Sequence, residues 1–340
     1  MIARPVFYKY KVVFLLIITL AFLAPGVYGD IPEEVYIPKV RPAISIIKLL
    51  GLSDEPLGEF QMLTIPLKRA GRLFLIEARI DGQAGNLIFD TGASGLVLNK
   101  TYFRKYVGDE KTAGGGITGI SGKILRTVVK RIEISDLYYE NVPADLMDLG
   151  HIENRRGVKV LGLFGLNMID EFEVIFDANN SELQLIRIDK QGNRISSQPS
   201  ETKYEFTQIM DTKYNIMVVR GKIGDKMLDF CLDTGAESNV ISSYVPKKVM
   251  STIRINRRSG MGGAGAASDE VLYGTMSEFE LGDHQFGNMQ TVVTSLDAMC
   301  ESYGCSIDGM LGYDFWQKGI FCFNFKKKEI RFSLGKGDKQ

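Results

Sequence analysis

Leu87-Ile88-Phe89-Asp90-Thr91-Gly92-Ala93-Ser94-Gly95-Leu96-Val97-Leu98 decides the reading of this chain, because the chain writes it twice. The second copy is Leu228-Asp229-Phe230-Cys231-Leu232-Asp233-Thr234-Gly235-Ala236, followed by Val240-Ile241. Each copy is an apolar run, then Asp-Thr-Gly-Ala, then a second apolar run. At average composition a given tripeptide turns up by chance in roughly one chain in ten of this size. Two copies with matching flanks point instead to an internal duplication that brings two carboxylates to one place.

The duplication extends well beyond the tripeptide. Asp233 lies 143 positions after Asp90, and Ile223-Gly224-Asp225 follows Ile80-Asp81-Gly82 at the same offset. Further on the offset becomes 147: Ile132-Glu133-Ile134 matches Phe279-Glu280-Leu281, and Gly162-Leu163-Phe164-Gly165 matches Gly309-Met310-Leu311-Gly312. Asp136 matches Asp283, Asn141 matches Asn288, and Phe176 matches Phe323 at that offset too. One shift means one unit copied, with a small insertion in the second copy. The units run from 61 to 188 and from 204 to 335, joined by the polar linker 189–203. Within each, runs such as Leu73–Ile80 and Glu173–Phe176 read as strands with turns between them, so the expected class is mainly β. Helical periodicity is confined to Asn99–Tyr106, Ser243–Met250 and one turn after each late glycine.

Bulk composition excludes several functions. Lysine plus arginine and aspartate plus glutamate both number 41, so no basic face is implied and nucleic acid is not an expected partner. The two histidines, His151 and His284, supply neither a zinc-hydrolase motif nor a Ser-His-Asp system, and each reads as a surface residue. The N-terminus carries Arg4, Lys9 and Lys11, an uncharged run from Val12 to Ala24 and a small-residue end at Gly29. That is the pattern of a secretory signal, residues 1–29, cleaved after Gly29, and it predicts export to the periplasm or the outside. An uncleaved anchor, which would bring the chain to a membrane, is the alternative. Residues 30–60 match neither unit and read as an N-terminal extension, a packing arm or a pro-segment. Export permits disulfides, and Cys300 and Cys305 flank a short loop that suits one. Cys231 and Cys322 sit in strand-like runs and read as buried thiols.

Two carboxylates forced together cannot both ionise, so they share a proton: one accepts a proton from water while the other donates to a carbonyl oxygen. Each aspartate needs a tight turn and close backbone approach, which Gly92 and Gly235 permit. Thr91 and Thr234 are placed to hydrogen-bond across a two-fold interface. A single Asp-x-Gly turn would be an ordinary link between strands; the paired copies favour chemistry at Asp90 and Asp233.

On these residues the chain resembles the retropepsin-like and pepsin-like aspartic proteases, in their single-chain two-lobed form. Asp90-Thr91-Gly92-Ala93-Ser94 matches the family's catalytic motif, and Asp233-Thr234-Gly235-Ala236 repeats it with Glu237 in place of the serine. The family's second motif, two apolar residues and a glycine, matches Leu163-Phe164-Gly165 and Met310-Leu311-Gly312. The resemblance implies a bilobal acid-protease fold: two pseudo-two-fold related, barrel-like β lobes with few short helices. It implies an aspartic endopeptidase acting on a peptide or protein, with no metal or organic cofactor, and active as a monomer.

Two glycine stretches, Gly114-Gly115-Gly116-Ile117-Thr118-Gly119 and Gly260-Met261-Gly262-Gly263-Ala264-Gly265, fit a dinucleotide fingerprint only formally, since strand-like sequence follows each. They resemble retropepsin flaps, which makes Gly114, Gly115, Gly116, Gly119, Gly262, Gly263 and Gly265 flap candidates. Ala93 and Ala236 stand where pepsins carry hydroxyl residues, so activity is expected nearer neutral pH than theirs. The rival reading is a non-catalytic peptide-binding module, or an envelope scaffold, on a protease-like fold.

Overall fold

Alternation between buried and exposed side chains runs along strands such as Met62–Pro66 and Val218–Ile223, the signature of sheets with one face on a core. A computed structural model describes residues 52–106, 109–111, 115–116, 119–120, 124–195, 202–212, 216–260 and 270–334. The expected signal segment 1–29 and residues 30–51 of the expected extension lie outside the described residues.

Each copied unit builds one strongly curved sheet. In the first, Leu73–Ile80, Gln83–Phe89, Val160–Phe164, Leu96–Asn99, Leu137–Met147 and Ile124–Ile134 are neighbours in that order. Ile124–Ile134 pairs back onto Leu73–Ile80, so these six strands close a barrel. In the second, the matching strands run in a nine-stranded sheet from Arg254–Gly260 to His284–Phe286 that stays open. The copied apolar-glycine motifs occupy matching places: Val160–Phe164 lies parallel to Gln83–Phe89, and Gly309–Leu311 lies parallel to Lys226–Leu232.

A third sheet belongs to both units. Its order is Met62–Pro66, Glu182–Arg187, Phe172–Asp177, Gly319–Asn324, Glu329–Leu334 and Phe206–Ile209. The two closing strands meet at its centre, antiparallel, with Glu173 opposite Asn324 and Phe176 opposite Phe321. The fold is mainly β and bilobal, as expected, with this shared sheet as its base.

Four short helices complete the described chain: α1 (Gly150–Arg156), α2 (Lys247–Met250), α3 (Asp297–Tyr303) and α4 (Tyr313–Trp316). A 3-10 turn at Leu166–Met168 mirrors α4. The sequence pattern places helix over Asn99–Tyr106, but Asn99 ends a strand and the residues after it form turns, and over Ser243–Met250, of which only the last four residues are helical. It misses α1 and α3, which are two turns long and so too short for a periodic signal. Both end at a left-handed glycine, Gly157 and Gly304.

Residues 52–60, the end of the extension, are pinned to the first unit. Leu57 exchanges backbone hydrogen bonds with Tyr138, and the Arg187 guanidinium donates to the carbonyls of Pro56, Gly58 and Phe60. Among the described residues no helix is long and apolar enough to cross a membrane.

Between the shared sheet and the two Asp-Thr-Gly turns, aromatic rings fill the space between the units. Phe176 of the first packs on Phe74, Phe89 and Trp316, while Phe321 packs on Phe315, Trp316 and Phe332. Glu173, only 3% exposed, sits at the seam with Arg194 at 2.5 Å, Arg331 in contact and Asn324 at 3.2 Å. Burial alone would raise its carboxyl, but the two guanidinium groups outweigh it and hold Glu173 below its ordinary value of 4.5. A lowered folded value stabilises the fold above the unfolded one, and that contribution is lost as pH falls through the folded value. Glu173→Gln is expected to cost about 2 kcal/mol at neutral pH by leaving two half-buried guanidinium groups without their buried counter-charge. In urea melts, the gap between wild type and variant should narrow below pH 4.5; a gap independent of pH would contradict this account.

Candidate active site

Both Asp-Thr-Gly turns sit at the end of a strand that a parallel neighbour holds from behind. Asp90 N donates to Phe164 O at 3.1 Å, and Asp233 N donates to Leu311 O at 3.0 Å, so the apolar-glycine strands fix where each turn begins. The motif glycines lie directly under the turns. A Cβ on Gly165 would stand 2.5 Å from Ala93 O, and one on Gly312 would stand 2.6 Å from Ala236 O. Only glycine fits either place.

The two turns then grip each other. Thr91 N donates to Thr234 Oγ1 at 3.0 Å, and Thr234 N donates to Thr91 Oγ1 at 3.0 Å. Each hydroxyl in turn donates to the opposite strand, Thr91 Oγ1 to Leu232 O at 2.9 Å and Thr234 Oγ1 to Phe89 O at 2.8 Å. All four bonds are buried, where an unmade one would cost on the order of 1–3 kcal/mol. The expected threonine exchange across the two-fold axis is present.

The grip places the carboxyls face to face. A Cβ on Gly92 would stand 2.5 Å from Asp233 Oδ2, and one on Gly235 would stand 2.6 Å from Asp90 Cγ. Each glycine is the floor under the opposite aspartate. Asp90 and Asp233 are 0% and 1% exposed. Burial raises the Asp90 carboxyl well above its ordinary value, and repulsion from Asp233 raises it further. Burial also raises Asp233, against the amides of Gly235, Ala236 and Gly92 and a hydrogen bond from Asp90. Asp90 Oδ1 accepts from Gly92 N at 2.9 Å and Ala93 N at 3.1 Å, while its buried Oδ2 accepts from no donor. An oxygen that accepts nothing is the natural seat of a proton shared by the pair, and the amides aimed at the two carboxyls favour one negative charge between them.

With that geometry in view, the comparison with known families is decisive. A model of aspartyl proteases matches residues 76–168 and again 219–315, together more than half of the chain. The chain belongs to the aspartyl protease family. The two matched segments lie one within each copied unit, and each holds one Asp-Thr-Gly turn and one apolar-glycine strand. A comparison with curated proteins returned no match.

Around this family core the halves differ. Glu237, where the first copy has Ser94, is held by Arg156 of α1, and Arg72 donates to Glu237 O at 2.9 Å and to Asp314 Oδ2 at 2.7 Å. Arg69 binds the Tyr313 hydroxyl beside them. The first half thereby clamps the second half's turn through arginines that the sequence reading did not single out. Glu237 was the only hint, as an acidic residue where its copy has serine.

Of the flap candidates, Gly115 and Gly116 pair antiparallel with Ile120 and Gly119 in a short hairpin that lies against α3 of the other half. Gly114, Gly262, Gly263 and Gly265 lie outside the described residues. Cys300 and Cys305 are unjoined thiols, hydrogen-bonded to each other, a contact that brings Cys300 down to about 7 and pushes Cys305 up. Cys231 and Cys322 are buried, as the sequence suggests. His284, expected at the surface, is instead half-buried against the Phe206 ring at 4.1 Å. The side chain of His151 is outside the description. Among the described residues no three His, Cys, Asp or Glu side chains converge as metal ligands would.

Gly235→Ala tests the packing of the two turns. The added methyl would meet both Asp90 oxygens at 2.7 Å and push the carboxyls apart. Proteolytic activity on unfolded casein should fall about 100-fold, the scale of an ångström's misplacement, with the circular dichroism spectrum unchanged. Activity within a factor of three of wild type would show that the close approach is dispensable.

Proposed function

We propose that the chain is an exported aspartic endopeptidase in which Asp90 and Asp233 activate one water between them. The observation that carries this reading is the buried face-to-face carboxyl pair, held by a symmetric threonine exchange. Burying two carboxyls costs several kcal/mol of folding energy, and a module that only bound peptides would gain nothing from that cost.

In this reading the ionised Asp233 takes a proton from water as its oxygen attacks the scissile carbonyl carbon. Asp90 gives its proton to the carbonyl oxygen, and a neutral tetrahedral diol results. Collapse of the diol breaks the C–N bond: the ionised Asp90 takes back a proton from one diol hydroxyl as the C=O re-forms, and Asp233 gives the proton it took from water to the leaving nitrogen, which restores the singly protonated dyad. The substrate is a peptide in extended form, lying between the two halves with the Gly115–Ile120 hairpin over it. Hairpin closure excludes water and strengthens each electrostatic contact. Fusion of the halves supplies both aspartates from one chain, so the working unit is a monomer. The Arg4-to-Gly29 segment supports export.

Incubation with unfolded casein should give fragments, suppressed by pepstatin and absent from both Asp90→Asn and Asp233→Asn. If the doubly substituted protein cleaves as wild type does, the enzyme reading fails. A protein that binds the casein without cutting it would favour the binding-module reading.

The pair also fixes the direction of the pH dependence. Activity requires one proton on the dyad. It is lost at low pH, when Asp233 protonates, and at high pH, when the raised Asp90 gives up the shared proton. Raised values place the window towards neutrality. A kcat/KM profile with its optimum below about pH 4 would contradict the assignment.

A further inference from the structure

The two Asp-Thr peptide groups are not held alike. A peptide group is planar, so fixing its C=O and its N–H together fixes its orientation completely. The Asp90–Thr91 group is held at its N–H by Thr234 Oγ1, while its C=O accepts only from Ala93 N of its own turn, at 3.2 Å. The Asp233–Thr234 group is held at its N–H by Thr91 Oγ1, and its C=O accepts from Trp316 Nε1 at 3.1 Å. Its own turn contributes only a long contact from Ala236 N, at 3.4 Å. At the copy offset of 147, the residue matching Trp316 is Ile169, which has no donor.

The indole cannot drift. It is fully buried, with Phe176 of the first half at 5.4 Å and Phe321 and Phe323 of the second at 4.8 and 6.3 Å between ring centres. Both closing strands therefore set where its N–H points. In so dry a site, a neutral hydrogen bond orients its acceptor strongly.

We propose that Trp316 is a positioning residue for the dyad: its N–H, braced by rings from both halves, fixes the Asp233–Thr234 peptide plane and so aims the following amides at the Asp233 carboxyl. This rests on the reading of Asp90 and Asp233 as the catalytic pair. Trp316 makes the second turn the rigid, better-solvated anion and leaves the first turn as the proton holder. It touches neither water nor substrate.

Trp316 is the chain's single tryptophan, which makes the test clean. Growth on β-(3-benzothienyl)alanine replaces that one indole by a ring of the same shape with sulfur in place of N–H. In the full-length protein, kcat for casein cleavage should fall about tenfold, a loss of one hydrogen bond's worth of transition-state stabilisation. The acid limb of the profile should move to higher pH, because Asp233 loses well-aimed amides. KM should hold. A profile superimposable on wild type overturns the proposal.

A second measurement needs no activity. Emission from Trp316 in the wild type should titrate with the dyad, and that titration should be lost in Asp233→Asn. Emission flat across the dyad's titration overturns the coupling, and this decides the matter alone if the analogue protein fails to fold. A wild type that cleaves nothing, yet shows the emission titration, would sink the enzyme reading and leave the Trp316 coupling standing.

Discussion

Four buried hydrogen bonds between Thr91 and Thr234 and the strands facing them are the constraint on which everything else turns. They tie two backbones so closely that neither turn tolerates a side chain at its glycine. They bring two carboxyls together that water would otherwise keep apart. Each half supplies what the other lacks: a hydroxyl for a foreign amide and a carbonyl for a foreign hydroxyl. Neither turn can be built alone. Its amide would face an apolar interior without a partner, at a cost that folding cannot absorb many times over.

The shared sheet answers the question of how the halves stay in register. The closing strands Phe172–Asp177 and Gly319–Asn324 pair along their length below the dyad, and the aromatic rings above them fill the wedge up to the threonines. Glu173 and its two arginines close the bottom of the seam. Sheet, rings and threonine exchange form one stack along the pseudo-two-fold axis. Movement of one half against the other has to be felt at the carboxyls.

Much of this could be read before any coordinates. The copied offsets carried the duplicated architecture, and the glycines at 92, 165, 235 and 312 carried the close approaches, because only one residue type meets those steric demands. The threonine exchange followed from the same symmetry. What could not be read is what breaks symmetry. Trp316 looks like a core residue in sequence, and is one; its N–H matters only because the Asp233 carbonyl happens to lie beneath it. Arg72 and Arg156 reach Glu237 from far along the chain, and surface-rich residues such as arginine carry no pattern that marks a partner. The helices α1 and α3 fall below the length at which periodicity speaks. The half-burial of His284 depends on Phe206, a strand in the shared sheet that the local sequence does not place beside it.

The open second sheet and the closed first barrel differ in more than shape. A homodimer must spend each mutation twice, once in each subunit, so its site stays the same viewed from either end. Fusion removes that obligation, and this chain has used the freedom: tryptophan against isoleucine, glutamate against serine, a closed ring against an open one. A polypeptide has a head and a tail. A cleft with identical ends gives it two equivalent ways to lie, whereas a cleft whose ends differ assigns its N-terminal side and its C-terminal side to different walls. On the proposed reading of Asp90 and Asp233, the unlike halves around them are what would give a bound chain one direction to lie in.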